Sequence, residues 1–342
     1  MEGANSNKEQ YNLLSDYLAD ILKSGEAHQK PFVFHTDKLS FENLSAGIVQ
    51  ITPQENSSSK NLGLPLILSC GIHGNETAPI EIVNDILKDL TNQKLSVSRP
   101  LLIIFGHLEG MREHKRFIDF NLNRLFCGIY KNHPDARESK RAQELEAIVA
   151  SFFKKYGIGH HYDLHTAIRP SHLKRFAVYP TSNNARPSQE EIEALKSMGI
   201  EGLLVAGGKA STFSAHTHLN HQALGYTLEL GKVEPFGKNN RQDFKEAEDY
   251  LRATISGKTT SPQDKTLKIY SVDHEMIRDS EDYVLHISED YANFTPLERE
   301  QLIETTSTGT LKAKENQAVV FPNSKVFVGQ RTGLLVSLVE KV

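Results

Sequence analysis

Two five-residue runs, Leu66-Ile67-Leu68-Ser69-Cys70 and Leu101-Leu102-Ile103-Ile104-Phe105, restrict the possible folds of this chain more than any other feature. Neither alternates apolar with polar residues, so each reads as a strand covered on both faces. Between them Val83, Ile86, Leu87 and Leu90 form one helical face, with Pro79 in the first turn and Thr77 placed to cap it. The alternation continues downstream. Leu145, Ile148, Val149, Phe152 and Tyr156 mark an amphipathic helix, and residues 160–165 a strand. Ser188 with Glu191 is a capping box ahead of Ile192 and Leu195. Residues 226–230 read as a strand and residues from about 242 to 256 as a charged helix. Upstream, Tyr11, Leu14, Tyr17, Leu18, Ile21 and Leu22 predict a helix, residues 47–51 a strand and 57–61 a loop. Strands alternating with helices predict an α/β domain built on a central sheet.

Residues 257–264 (Gly-Lys-Thr-Thr-Ser-Pro-Gln-Asp) have the composition of a linker. Beyond them β patterns dominate, at 266–272 and 326–328. The expected division is therefore 1–257 as an α/β domain and 265–342 as a smaller β-rich domain, which suits a chain of 342 residues.

Composition removes several function classes. Lys and Arg number 39 against 43 Asp and Glu, a net charge of -4 that argues against a general nucleic-acid binder. The longest apolar run is five residues, too short for a bilayer that needs about 20. No signal pattern opens the chain, and Cys70 and Cys127 make no disulfide framework, so a cytoplasmic location is expected. Fifteen histidines, several clustered, point instead to metal or acid-base chemistry.

Gly71-Ile72-His73-Gly74-Asn75-Glu76-Thr77 joins a buried strand to a helix, where ligands bind in open α/β sheets. His73 and Glu76 sit in a glycine-flanked loop that can turn both onto one point, unlike the helical H-E-x-x-H pattern. The plainer alternative is a loop histidine and a glutamate that favours the helix N-terminus. In Tyr162-Asp163-Leu164-His165-Thr166, Asp163 and His165 share a strand face. His165 can complete a His-Glu-His set with an open fourth position, and Asp163 can orient a ligand imidazole. His160, His161, His107, His216 and His218 compete for the third place, and spacing does not choose among them. Glu229 is a lone charge in an apolar strand. Buried, its pKa would rise toward the range of a general base; on an edge strand it would simply face solvent. In Arg116-Phe117-Ile118-Asp119-Phe120-Asn121-Leu122-Asn123-Arg124, the two arginines can grip carboxylates or belong to a solvated basic loop.

Taken in order, these clusters resemble the succinylglutamate desuccinylase/aspartoacylase branch of the zinc carboxypeptidase-like hydrolases. The strings that carry the likeness are 71–79, Asp163-Leu164-His165-Thr166-Ala167-Ile168-Arg169, Thr227-Leu228-Glu229-Leu230-Gly231-Lys232 and Pro235-Phe236-Gly237. It runs from about residue 11 to the C-terminus. The resemblance implies a central mixed sheet flanked by helices, a C-terminal β-rich domain and one zinc ion per chain. His73, Glu76 and His165 then correspond to the metal ligands, Glu229 to the catalytic glutamate, and Arg116 to an arginine near the reacting carbonyl. Asn123 and Arg124 match a pair that binds substrate carboxylate. Gly207–Ser214 fits the family's glycine-rich loop only loosely.

The implied reaction is hydrolysis of the amide of N2-succinyl-L-glutamate to succinate and L-glutamate, the last step of the arginine succinyltransferase route. Zinc-activated water attacks, and Glu229 serves as general base and then acid. A substrate with three carboxylates needs a cationic pocket, for which Arg116, Arg124 and Arg169 are candidates and Lys232 a reserve. The expected partner is this small anionic molecule, with neither nucleic acid nor membrane. Oligomeric state is left open. A deacylase for another acyl amino acid, a peptidase trimming C-terminal residues and an inactive metal-binding module are the competing readings.

Overall fold

The computed structural model describes residues 2–23, 30–54, 62–181, 186–207, 210–260, 264–288 and 290–342. The expected loop at 57–61, residues 261–263 of the expected linker, and Gly208 and Lys209 lie outside them. The strands are β1 (Phe32–His35), β2 (Leu39–Ser45), β3 (Ile48–Pro53), β4 (Leu66–Cys70), β5 (Leu101–Phe105), β6 (His160–Ala167), β7 (Phe176–Thr181) and β8 (Gly202–Gly207). They continue with β9 (Leu224–Lys232), β10 (Lys268–Ile277), β11 (Val284–Leu285), β12 (Thr295–Pro296), β13 (Leu302–Thr306), β14 (Gly309–Lys312), β15 (Gln317–Val320) and β16 (Arg331–Lys341). The α-helices are α1 (Glu2–Ser15), α2 (Tyr17–Lys23), α3 (Thr77–Thr91), α4 (Leu108–Arg112), α5 (Arg137–Tyr156), α6 (Gln189–Ser197), α7 (Phe213–His221) and α8 (Lys245–Ser256).

Among the described residues, one mixed sheet runs β1-β2-β3-β5-β4-β6-β9-β7-β8-β10-β16-β15-β12. Its centre, β5-β4-β6-β9, is parallel throughout, so the C-terminal ends of these strands share one edge. The two apolar runs occupy this centre. Leu66, Leu68, Leu101 and Ile103 point into one core with Val83, Ile86 and Leu87 of α3. Ile67, Leu102 and Ile104 point into the opposite core with Leu145, Val149 and Phe152 of α5. Period-two alternation thus divides a continuous apolar run between two layers of helices.

The C-terminal strands join the same sheet. β10 pairs parallel with β8 and antiparallel with β16, and β11-β13-β14 form a separate small sheet. Phe294 and Phe321 of this region close on Phe176 of β7, with ring centroids at 5.0 and 5.7 Å. No helix among the described residues is long and apolar enough to cross a membrane.

The Ser188–Glu191 capping box is present in full. Three local expectations change. Thr77 does not cap α3: Glu76 holds the N-cap position without a side-chain cap bond, and the Thr77 hydroxyl donates to the Glu234 carbonyl at 2.5 Å. Tertiary bonding has taken the hydroxyl away from its own helix. Residues 326–328 form no strand, and Phe327 and Val328 are exposed. Apolar character there has no sheet neighbour to pair with. The first helix is broken at Asp16 into α1 and α2.

Candidate active site

The loop after β4 is shaped by two glycines. Gly71 takes φ +61°, and a Cβ there would fall 2.0 Å from the Met111 methyl. A Cβ on Gly74 would lie 2.1 Å from the backbone carbon of Gly110. Only glycine lets the strand turn and the chain pass this closely. The turn lays His73 and Glu76 across the ends of β4 and β6, where His165 of β6 stands directly beside Glu229 of β9. Glu229 is buried in a strand flanked on both sides, which overturns the edge-strand alternative.

His73, Glu76 and His165 are all buried, and one potential ligand atom from each lies within 4.8 Å of the others. Both imidazoles commit Nε2 elsewhere. His165 Nε2–H donates to Asp163 Oδ2 at 2.9 Å, and His73 Nε2–H to Asn121 Oδ1 at 3.0 Å. Asp163 is fixed in turn by the Ser69 hydroxyl, which donates to Oδ1 at 2.6 Å. The two Nδ1 atoms therefore face Glu76, each 2.8 Å from a different carboxylate oxygen. His73 Nδ1 makes no hydrogen bond there despite the distance. His165 Nδ1 pairs with Glu76 Oε2, while His73 Nδ1 is left unbonded against the same carboxylate, so a cation placed among the three would meet a ligand atom from each. Two histidine nitrogens and one carboxylate are an established zinc donor set, and the carboxylate and amide behind the imidazoles hold their orientation. These residues fit a zinc ion.

The electrostatics follow from burial and crowding. Burial would raise Glu76, but His73, His165 and Arg116 outweigh it and hold Glu76 well below the usual carboxylate range. Burial lowers His73 to about 4, with Arg116 adding to the effect. For His165 the charges of Asp163 and Glu76 overcome burial and raise its pKa well above the usual value. Glu229 moves the opposite way to Glu76. Burial, reinforced by the negative charge of Glu76, lifts it to about 7. Its Oε2 is buried with no hydrogen-bond partner.

Arg116 donates from Nη1 to Glu76 Oε1 at 2.6 Å, so it borders the histidines. Asn123 is buried, and its Oδ1 accepts from Phe213 N at 2.9 Å at the start of α7. Arg124 is half-buried and donates to the Asn123 carbonyl at 2.8 Å. Arg169, also half-buried, lines a cleft of about 450 Å³ with Ala167, Gly231, Lys232 and Asn239, beyond the ends of β6 and β9.

The competing histidines are engaged elsewhere. His107 bonds Glu138 at 2.9 Å and caps α4. His161 lies between Ser69 and Thr217 at 2.8 and 2.9 Å. His216 is 3.4 Å from Glu146, and His218 Nδ1 is 3.0 Å from the Ala223 carbonyl. His160 stands at the other end of β6 and borders a different cavity. Sequence reasoning missed Ser69 and Asn121, which fix Asp163 and His73. Asn121 lay inside the quoted arginine-rich stretch; nothing in the sequence marked Ser69.

Comparison with known proteins gives a consistent picture. Residues 63–255 match the family model described as "Succinylglutamate desuccinylase/Aspartoacylase catalytic domain", and residues 265–339 the "AstE/AspA barrel-sandwich hybrid domain". The chain is 38% identical over 327 residues to a succinylglutamate desuccinylase of Pseudoalteromonas atlantica, spanning 92% of this chain and 91% of that one. It is 35% identical over 325 residues to one from Pseudomonas aeruginosa, spanning 93% and 97%. The solved succinylglutamate desuccinylase of Vibrio parahaemolyticus superposes with a TM-score of 0.85 at 31% identity, covering 95% of both chains.

Proposed function

The chain belongs to the succinylglutamate desuccinylase/aspartoacylase family of amide hydrolases, and we propose that its substrate is N2-succinyl-L-glutamate, cleaved to succinate and L-glutamate. In this reading it closes a succinyl route of arginine breakdown, residues 1–257 form the catalytic unit and residues 265–342 the β-rich unit. The observation that carries the reading is the buried His73–Glu76–His165 group directly beside Glu229, whose buried Oε2 has no hydrogen-bond partner.

His73, Glu76 and His165 would hold one zinc ion per chain, with Asp163 and Asn121 orienting the imidazoles from behind. When bound, zinc supplies Lewis-acid polarisation of the substrate carbonyl and raises the acidity of the attacking water. Glu229 accepts the proton of that water and returns it to the amine nitrogen of the departing glutamate. Burial and the charge of Glu76 lift this carboxyl above the ordinary carboxylate value, toward the range in which one group can both take and return a proton. Arg116, beside the metal ligands, stabilises negative charge developing on the carbonyl oxygen. Asn123 and Arg124 bind one substrate carboxylate, and Arg169 another from its position four residues past His165.

The test is metal analysis of the purified protein with product detection on N2-succinylglutamate, N-acetylaspartate, N-acetylglutamate and unmodified peptides. One equivalent of zinc and preferential release of succinate are expected. Faster cleavage of an acetylated substrate or of peptides would replace this substrate assignment.

A further inference from the structure

Behind Asp163 a hydrogen-bonded line of side chains continues into the protein, and the proposed reaction makes no use of it. Ser69 Oγ, 2.6 Å from Asp163 Oδ1, is also 2.8 Å from His161 Nε2. His161 Nδ1 is 2.9 Å from Thr217 Oγ1, and the Thr217 hydroxyl reaches the Ser214 carbonyl at 2.9 Å. Ser69 stands opposite Asp163 in the register of β4 on β6, and His161 shares the strand face of Asp163. The Phe213 ring meets the His161 ring edge-on, with centroids at 4.7 Å. Ser69, His161, Asp163, Ser214 and Thr217 are all buried, so the line joins β4, β6 and the start of α7 out of reach of solvent.

The protons along this line can be counted. Its two ends, the Asp163 carboxylate and the Ser214 carbonyl, only accept; between them stand two hydroxyls and one imidazole. The imidazole is buried against two uncharged hydroxyls and is neutral, burial lowering His161 to about 4. Three groups with one proton each must then serve four contacts, and one contact goes without. If every proton points toward Ser214, the Ser69 oxygen faces the Asp163 carboxylate at 2.6 Å with no hydrogen between them. A gap on either side of His161 sets lone pairs against each other at 2.8 or 2.9 Å. If every proton points toward Asp163, the gap falls at the Ser214 carbonyl. That carbonyl lies inside α7, where the N–H four residues on is its regular donor. Only this last arrangement leaves no buried acceptor without a donor.

We infer that His161 is a positioning residue: as the Nε2–H tautomer it holds the Ser69 proton on Asp163, and through Asp163 it keeps His165 Nδ1 turned toward Glu76. Thr217 donates to His161, His161 to Ser69 and Ser69 to Asp163, each bond polarising the next. Which ring nitrogen carries the proton is set by the partner of the other, here the Thr217 hydroxyl. This inference rests on His165 as the metal ligand proposed above.

Two measurements test it. Nitrogen NMR of histidine-labelled protein reads the tautomer, with the His161 signals assigned by their loss in His161→Gln. A proton on Nε2 alone is expected; a proton on Nδ1, alone or together with Nε2, overturns the inference. Zinc affinity by competition titration is the second readout. His161→Phe keeps a ring and loses both nitrogens, and should weaken zinc binding by about 10-fold. His161→Gln sets an amide N–H near the place of Nε2 and should recover most of that loss. His161→Asn, whose shorter amide reaches only the place of Nδ1, should not. In a Ser69→Ala background His161→Phe should weaken zinc binding no further, because the link is already cut. The same loss with and without the Ser69 hydroxyl makes His161 a packing residue and overturns the inference, as does no loss in His161→Phe. The Gln and Asn variants carry the comparison if the Phe variant fails to fold. If wild type binds no zinc, the metal reading fails on its own, and the tautomer decides the direction of the line: Nε2–H upholds it and Nδ1–H ends it.

Discussion

The two halves of the site are built differently. At the histidine end, side chains leave the ends of parallel strands, and polar atoms meet fixed partners: Ser69 on Asp163, Asp163 on His165, Asn121 on His73. At the arginine end, Arg116 and Arg124 come from irregular backbone and a short turn between α4 and α5. The first half is organised by the backbone before any ligand arrives. In the second, Arg116 meets Glu76 and Arg124 donates to the Asn123 carbonyl. Preorganised dipoles suit the chemical step, and cationic side chains suit the anionic substrate proposed above.

The largest effect should come from the histidine end. His165→Ala removes one of the three proposed ligands, and zinc and turnover should vanish together while circular dichroism reports an intact fold. Calorimetry on the same variant should still detect succinate, because the arginines are untouched. A full equivalent of zinc in that variant would hand the third position to another histidine.

Glu229→Gln comes next. It keeps shape and loses the proton acceptor, so kcat should drop by about 10²-fold or more with zinc and KM retained. The pH profile sharpens the point. Burial and Glu76 place the Glu229 pKa above the ordinary carboxylate value of 4.5, at about 7. Its contribution to the stability of the metal-free protein is therefore fully present below pH 4.5 and is lost as pH rises through 7. Activity should run the other way, since the proposed base works ionised. A dication beside it favours the carboxylate, so the acid limb of kcat/KM in the zinc form should lie below 7. An acid limb unchanged in Glu229→Gln would remove Glu229 from the proton path.

Asp163→Asn should be milder. The amide still reaches His165 but offers no negative charge, and zinc affinity should fall by about 10-fold to 100-fold in a competition titration. Unaltered affinity would leave Asp163 a structural partner of Ser69 alone. The smallest and most selective effect belongs to Arg169→Ala. It should weaken hydrolysis of N2-succinylglutamate more than that of N-acetylglutamate, which lacks the acyl carboxylate. Equal loss on both would assign Arg169 to the glutamate end or to the cleft it lines with Lys232.

The same division explains what could be read from the sequence. Strand–helix alternation was written in local apolar periodicity, so β4, β5, α3 and the Ser188 capping box were all foreseeable. His73, Glu76 and Asp163–His165 stood out because a glycine-flanked loop and an i, i+2 pair are short-range signals. His161 and His165 share one face of β6, and what separates them is the register of β6 on β4, which sets His161 opposite Ile67 and His165 beyond the strand end; no residue near either histidine encodes that. Resemblance, not spacing, made that choice. Thr77 failed as a cap because Glu234, distant in sequence, competes for its hydroxyl. Residues 326–328 had strand-forming residues but no neighbour to pair with.

The parallel pairing of Lys268–Ser271 with Gly202–Val205 has a consequence for biosynthesis. When the ribosome has made the chain only as far as α8, β8 presents a bare row of amide and carbonyl groups along one side. Such a row invites pairing with another nascent chain. Completion of the sheet waits for β10, which then gains β16 on its far side. Translation that pauses in the 257–264 stretch should therefore enlarge the aggregated fraction, and a chain cut there should be recovered poorly even though every proposed zinc ligand and Glu229 lie upstream of the cut.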